Sequence, residues 1–243
     1  MKFNVGLFAP TLLLFHAVLA TTSNKTPYER LNREDALLLV VDMQVGLFLI
    51  VRDLEPVLFK TSLIAHARIA EQFNLPVVMT TSAQEGPNGH LPREILDMYP
   101  NAPLIPRGGE VNAWDNADFR AAVRSQNKTQ IILGGILTDV CTAFLAQSLR
   151  DEGYSVWANA EASGTSTPMV RDLANDIMRT AGVHVTSLFG IVGELMRDWR
   201  GPYSGDLLTY FDDYFPTLGV LARFHRTAIE NGTIVPGEGA LPV

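Results

Sequence analysis

The sequence has very little cysteine: Cys141 is the only one among 243 residues. A single thiol cannot form an intrachain disulfide, so we expect the hydrophobic core, and any oligomer the chain forms, to stabilise the fold. Free cysteines are often buried as small hydrophobic residues. This structural interpretation of Cys141 therefore stands beside a chemical one.

The chain also has few basic residues, with 19 lysines and arginines against 26 aspartates and glutamates. The formal net charge is −7, and removal of residues 1–20 with their one lysine leaves 18 against 26, or −8. Nucleic acid and anionic membranes attract positively charged proteins. The composition therefore argues against both as partners.

The first twenty residues differ in kind from the rest of the chain. Lys2 precedes an apolar stretch, and Val18-Leu19-Ala20 offers small residues at a cleavage point. This pattern predicts a secretory signal peptide over 1–20, the alternative being an apolar helix that packs on the domain. Three Asn-X-Ser/Thr sequons are typical of a secreted, extracellular protein that carries N-glycans: Asn24, Asn127 and Asn231.

Apolar strand patterns alternate with amphipathic helix patterns through the body of the sequence. Helices are predicted between the strands, and this βαβ rhythm indicates a mostly parallel sheet covered on both faces. We therefore predict an α/β fold, a three-layer sandwich with a six-stranded sheet of Rossmann-type topology. The predicted strands are 36–41, 76–79, 102–105, 130–133, 154–158 and 183–188.

The predicted organisation has four parts: a signal peptide over 1–20, a lead-in over 21–35, the α/β domain over 36–200 and a C-terminal tail over 201–243. The tail contains an aromatic-rich helical stretch near 206–229. This stretch could pack on its own domain or on a neighbouring subunit. The sequence leaves both open.

The segment around Cys141 combines a strand, a turn and a helix start. Residues 130–141 read QIILGGILTDVC, so an apolar run ends in two glycines and a helix is predicted to begin near Cys141. The amino end of a helix stabilises a thiolate, which is the nucleophilic form. Ligands of open α/β sheets bind at the carboxyl ends of the strands, where Cys141 is expected to lie.

Two further residues are expected at the same edge of the sheet. Asp42 follows the first predicted strand and Arg107 follows the third. A carboxylate can accept the proton of a thiol, a thiolate can attack a carbonyl carbon, and a cation can hold the charges in place. The alternatives are a helix-capping role for Asp42 and a surface salt bridge for Arg107.

These residues resemble the motifs of the isochorismatase-like cysteine hydrolase superfamily, whose hallmarks are D-x-Q after the first strand and G-x-x-T-[DE]-x-C at a helix start. The resemblance is greatest to the YcaC-like branch and runs from about Tyr28 to Phe215. The motifs are Asp42-Met43-Gln44, Thr80-Thr81-Ser82, Gly86-Pro87-Asn88-Gly89, Asn112-Ala113-Trp114-Asp115-Asn116, Gly135-Ile136-Leu137-Thr138-Asp139-Val140-Cys141 and Arg197-Asp198-Trp199-Arg200.

The resemblance implies a mechanism and a set of catalytic residues. Cys141 would be the nucleophile and Asp42 the base. A cis peptide between Ile136 and Leu137 would let the amides of Leu137 and Cys141 form the oxyanion hole. The implied reaction is hydrolysis of a small amide or related acyl substrate through a thioester, by a homo-oligomer that needs no cofactor. The residues expected to bind substrate are Gln44, Ser82, Trp114 and Thr138.

The sequence departs from the wider family pattern at the third catalytic position, which is usually lysine. Its four lysines do not follow a strand, and Arg107 stands at that position instead, as in the YcaC-like proteins. Because arginine stays protonated, Arg107 can hold charge but cannot carry a proton. A second departure is Glu161, where relatives more often have aspartate, and we expect it to change loop support more than chemistry.

A metal site is not expected. The zinc-containing amidases of the superfamily have an Asp-x-His pair after the second strand, whereas Ser82–Pro92 contains only His90. Trp114 is expected to line a substrate pocket, with core packing as the alternative. A second functional hypothesis is a secreted binding or effector protein on a hydrolase scaffold with little or no turnover.

Overall fold

A computed structural model of the chain describes residues 28–233 and contains one six-stranded parallel sheet. Residues 1–27 and 234–243, which include the predicted signal peptide and the Asn24 sequon, lie outside the described residues. The strand order is β3-β2-β1-β4-β5-β6, which confirms the predicted fold class. The strands are β1 (Ala36–Val41), β2 (Val77–Ser82), β3 (Leu104–Arg107), β4 (Gln130–Gly135), β5 (Ser155–Asn159) and β6 (His184–Thr186).

Helices cover both faces of the sheet, with α1, α6 and α7 on one side and α3, α4 and α5 on the other. The predicted helices differ from the observed ones in two respects. The short helix α2 was not predicted, and the predicted tail helix is two helices, separated at Phe215-Pro216. The helices are α1 (Pro56–Phe73), α2 (Arg93–Met98), α3 (Ala117–Ser125), α4 (Ala143–Asp151), α5 (Pro168–Thr180), α6 (Leu188–Met196), α7 (Ser204–Tyr214) and α8 (Pro216–Glu230).

The central strands β1 and β4 set the position of the site. Every residue of ALLLVV in β1 is buried, because helices cover both of its faces. The register pairs Val41 with Gly135 on one side and with Thr80 on the other. The residue that follows β1, Asp42, therefore lies between the ends of β2 and β4.

Strand β3 lies at the edge of the sheet and is displaced from its prediction. It was predicted at 102–105 and is observed at Leu104–Arg107. Pro106 is exposed within it, and a proline is tolerated there because an edge strand has one unpaired side. The register pairs Ser82 with Arg107, so Arg107 is the last residue of the strand and not part of the following loop.

Helix α7 of the tail packs on its own domain. Leu207, Tyr210 and Phe211 are buried against the layer that contains α1. The Tyr210 hydroxyl donates to the carbonyl of Ala65 at 3.0 Å. Helix α8 instead exposes much of its apolar surface, including Phe224. Among the described residues, none of the helices combines the length and hydropathy needed to cross a bilayer.

Candidate active site

Asp42 is fully buried at the end of β1 and adopts a positive φ of 51°. Its backbone N–H donates to the carbonyl of Thr80 at 3.0 Å. Non-glycine residues in this left-handed region are uncommon, although aspartate is enriched among them, and they cluster at functional sites. The chain turns sharply here and leaves the carboxylate at the carboxyl edge of the sheet.

Arg107, the last residue of the edge strand β3, holds this carboxylate. Its side chain is fully buried, as is that of Asp42, so the surface salt-bridge alternative is wrong. Nη2 donates to Asp42 Oδ2, Nη1 to the carbonyl of Glu110, and Nε to Thr80 Oγ1 at 3.0 Å. Every guanidinium nitrogen therefore has a partner, and the orientation of the cation is fixed.

Cys141 lies in a π-helical turn, Thr138–Thr142, that connects β4 to α4. The helix was predicted to begin near Cys141; the π-helical turn begins at Thr138 and α4 follows it at Ala143. The thiol is half-buried and free. The Asp42 carboxylate lies close enough to the thiol that each group shifts the pKa of the other, and Asp42 Oδ1 has no hydrogen-bond partner among the described residues.

The thiol is not stabilised as a thiolate at rest, contrary to the sequence-based expectation. Burial, reinforced by the charge of Asp42, raises the pKa of Cys141 to about 12. The backbone of Leu137 and the charge of Arg107 lower it only partly. Desolvation and the neighbouring carboxylate outweigh the stabilisation that a helix terminus offers to a thiolate.

The pKa of Asp42 is raised as well. Burial raises the pKa of the Asp42 carboxyl, while Arg107 and the Cys141 thiol oppose the shift. Two anions side by side in this site are disfavoured, because burial penalises each charged form and the two would repel each other. A thiolate can therefore form when its proton passes to Asp42, since this transfer leaves the net charge of the site unchanged.

The turn that carries Cys141 contains the expected cis peptide. The bond between Ile136 and Leu137 is cis and involves no proline. The next residue, Thr138, donates its backbone N–H to the carbonyl of Gly164 at 3.0 Å. The amides of Leu137 and Cys141 remain the predicted oxyanion donors.

Two hydroxyl groups of this turn are buried without a partner in the described part of the chain. Thr138 Oγ1 and Thr142 Oγ1 have this property, like Asp42 Oδ1. Leaving a buried polar atom unpaired costs about 1–3 kcal/mol, so such atoms call for an explanation. Thr138 was predicted to bind substrate. Thr142 was missed, although its position four residues after Thr138 in a helical turn was a usable signal.

Gln44, which was predicted to bind substrate, forms hydrogen bonds with backbone groups of the loop after β2. It is fully buried. Its amide nitrogen donates to the carbonyls of Ser82 and Gly89, and its oxygen accepts from the N–H of Ser82 at 2.8 Å. Gln44 therefore anchors the loop after β2. Ser82 itself is half-buried at the end of β2, beside Arg107 in the sheet register.

Trp114 packs in the core, which favours the packing alternative over a pocket wall. Its ring is buried and makes edge contacts with Phe119 and Tyr154, at centroid distances of 6.4 and 6.0 Å. The indole N–H points to Glu152 at 3.4 Å. Glu152 follows α4, at the opposite end of that helix from Cys141.

Open space lies beside Arg107. A cavity of about 410 Å³ is lined by residues 83–86 of the loop after β2 and by Pro106, Arg107 and Gly108. No group of three or more histidine, cysteine, aspartate or glutamate side chains within 28–233 could hold a metal ion, and His90 is exposed.

Glu161, the second departure from the family pattern, supports a helix start. Its carboxylate accepts the backbone N–H of Leu188, the first residue of α6, at 2.6 Å. A carboxylate is favourable there because the amino end of a helix has free N–H groups. This contact agrees with the expected role in loop support.

Comparison with known proteins places the sequence among hydrolases. A family model described as isochorismatase domain matches residues 36–188. The probable hydrolase YcaC of Escherichia coli is 44% identical over 190 residues, which cover 78% of this chain and 91% of YcaC. Its crystal structure, described as an octameric hydrolase of unknown specificity, superposes with a TM-score of 0.81 over 84% of this chain and 99% of YcaC.

Two further proteins are informative. YcaC of Pseudomonas aeruginosa, solved with hexane-2,5-diol and covalent acrylamide, is 43% identical, with a TM-score of 0.79 over 82% of this chain and 98% of that chain. The secreted isochorismatase effector Isc1 of Phytophthora sojae is 28% identical over 183 residues, 71% of this chain and 82% of Isc1.

Proposed function

Because the chain belongs to the isochorismatase family of hydrolases, in its YcaC-like branch, we propose that it cleaves a small amide or related acyl substrate through a covalent thioester. The observation that carries this proposal is the contact of three side chains from distant parts of the sequence. Asp42 binds Arg107 through Oδ2, while its unpartnered Oδ1 and the neighbouring Cys141 thiol are close enough for the carboxylate to raise the pKa of the thiol. This arrangement supplies a base, a cation and a nucleophile.

The first half of the reaction forms the thioester. As the sulfur of Cys141 attacks the carbonyl carbon, the thiol proton moves to Asp42 and the carbonyl π electrons move to the oxygen. The amides of Leu137 and Cys141 hydrogen-bond this oxyanion. The intermediate then collapses: the carbon–nitrogen bond breaks, the nitrogen takes the proton from Asp42, and the amine leaves.

The second half consumes one water molecule. Asp42 accepts a proton from the water while the water oxygen attacks the thioester carbon. The carbon–sulfur bond breaks, the sulfur recovers the proton from Asp42, and the carboxylic acid leaves. Arg107 remains charged throughout, so it keeps the carboxylate oriented and offsets its charge without exchanging protons.

A substrate screen with matched variants tests this function. A panel of small amides, esters and related acyl compounds is incubated with wild type, Cys141→Ala and Cys141→Ser. We expect hydrolysis by wild type alone, with a mass increase on Cys141 equal to the acyl group when the reaction is quenched early. Hydrolysis that survives in Cys141→Ala would overturn the nucleophilic role of the thiol.

A second candidate function is that of a secreted effector or binding protein with little turnover. The similarity to Isc1, a secreted isochorismatase effector, favours it. Under this hypothesis, compounds that raise the melting temperature of wild type would not be hydrolysed and would protect Cys141→Ala equally well. Turnover by wild type would exclude it.

We also propose that the chain is secreted after removal of residues 1–20 and forms a homo-oligomer. The predicted signal peptide and sequons support secretion, and the octamer of E. coli YcaC supports assembly. After expression in a secretory host, the protein should be found in the culture medium and should begin at residue 21. Light scattering should give a mass several times that of the 26.7 kDa chain.

A further inference from the structure

Thr165 contacts two separate segments of the chain, and the proposed mechanism uses none of these contacts. It lies after β5 and is fully buried. Its N–H donates to Asp53 Oδ1 at 2.7 Å, and its carbonyl accepts the N–H of Arg52 at 2.8 Å. Its hydroxyl donates to Asp139 Oδ1 at 2.5 Å. Asp139 is two residues before Cys141.

The two residues before Thr165 hold the same turn. Ser163 Oγ accepts the N–H of Gly135 at 3.3 Å, and the carbonyl of Gly164 accepts the N–H of Thr138 at 3.0 Å. A Cβ on Gly164 would lie 2.6 Å from a methyl of Val51, so the loop is packed too closely for a larger residue. Residues 163–165 therefore contact the chain between the end of β4 and Cys141 at three points: Gly135, Thr138 and Asp139.

The charges around Thr165 show why its side chain matters. Asp53 and Asp139 approach it from different segments, and burial and then the charge of Asp139 raise the pKa of the Asp53 carboxyl. The Thr165 amide and hydroxyl bind one carboxylate each, while Arg171 donates to the carbonyl of Asp53 at 3.3 Å. Without these donors, repulsion between the two carboxylates would favour their separation.

We infer that Thr165 is a positioning residue for Cys141: its hydroxyl, by holding Asp139, fixes the π-helical turn so that the sulfur faces Asp42. This inference rests on the proposed nucleophilic role of Cys141 and adds a residue that does not touch the substrate. The contact with Asp139 is a hydrogen bond from the hydroxyl, in which the methyl of threonine takes no part. Serine should therefore preserve the effect and valine should abolish it.

Alkylation of Cys141 by iodoacetamide between pH 6 and 11, followed by intact mass, tests this inference. The thiol of wild type is expected to titrate high because it is buried and Asp42 lies beside it, while Arg107 opposes the shift. In Thr165→Val the alkylation rate at a given pH in this range should rise at least tenfold, the change in thiolate that a pKa one unit closer to that of a free thiol produces. Thr165→Ser should keep the wild-type profile.

The matched control is Thr129→Val. Thr129 also donates its hydroxyl to an aspartate, Asp35, but at the amino end of β4 and near the surface. This variant loses the same kind of hydrogen bond and should titrate like wild type. A similar shift in Thr129→Val, or a failure of Thr165→Ser to preserve the profile, would overturn the inference.

Two variants of the acceptor complete the experiment and replace Thr165→Val if it does not fold. Asp139→Ala should shift the inflection, whereas Asp139→Asn retains an acceptor oxygen and should shift it less. Combining Thr165→Val with Asp139→Ala should add no further shift, since both break one bond. Additive shifts would contradict the inference. The readout does not need turnover, so it can fail or succeed independently of the proposed hydrolysis.

Discussion

Replacing Asp42 with asparagine should change thiol ionisation and turnover in opposite directions. The ordinary pKa of a cysteine thiol is taken as 9.0, and that of Cys141 is raised to about 12. At pH 8 these values correspond to thiolate fractions of about 10⁻¹ and about 10⁻⁴. Burial is the largest cause, followed by two effects of the neighbouring Asp42 carboxylate, its charge and its capacity to accept a hydrogen bond.

Asp42→Asn removes the two contributions of the carboxylate and leaves burial. Nearby charges typically shift a pKa by about 1–3 units, so the thiolate fraction at pH 8 should rise at least about tenfold. The uncompensated charge of Arg107 acts in the same direction. Turnover should nonetheless fall by about 10²–10⁴-fold, because the general base is lost.

The assay is the pH dependence of alkylation, and it is unambiguous because Cys141 is the only cysteine. Asp35→Asn is the matched control, since it removes one negative charge at the other end of the sheet. An inflection in Asp42→Asn that matches Asp35→Asn would refute the reasoning. So would an Asp42→Asn variant that retains wild-type turnover.

Three further predictions concern stability. Arg107→Met should lower the free energy of unfolding in urea by about 3–5 kcal/mol, because it leaves Asp42 as an unpaired buried carboxylate. The double variant with Asp42→Asn should lose less, and an equal loss would contradict the pairing. Buried His66 has its pKa lowered to about 4 from 6.5, so the unfolded state binds more protons between these values. The free energy of unfolding should therefore fall by about 3 kcal/mol as the pH drops from 6.5 to 4. His66→Gln should remove this part of the pH dependence. A variant whose free energy of unfolding depends on pH as that of wild type does would exclude His66 as its source. Trp114→Phe should lower stability by about 1–2 kcal/mol without changing the alkylation profile of Cys141, whereas a changed profile would place Trp114 at the site.

The sequence was sufficient to predict the sheet and the residues at its active edge. Buried parallel strands read as continuous apolar runs, and the polar residue that ends such a run lies at the carboxyl edge. Asp42 and Cys141 could be placed by this rule. Strand β3 was harder, because Pro106 interrupts its pattern and the prediction ended one residue before it.

Side-chain roles were less predictable than positions. A glutamine in a D-x-Q motif can face a ligand or anchor a loop, and only the three-dimensional contacts of Gln44 distinguish these. Thr165 has no local signal, since its partners are more than 20 residues away in sequence. The pKa of Cys141 depends on burial and on Asp42, which no local sequence rule captures.

The high pKa of the solitary thiol has a consequence for its durability. Oxidants and adventitious electrophiles react with thiolates, so a sulfur that is almost wholly protonated at rest is shielded from them. If it is nevertheless oxidised to a sulfenic acid, the chain has no second cysteine with which to close a rescuing disulfide. Repair must then come from an external reductant. The reduction potential of the surroundings therefore determines how long the thiol stays reduced.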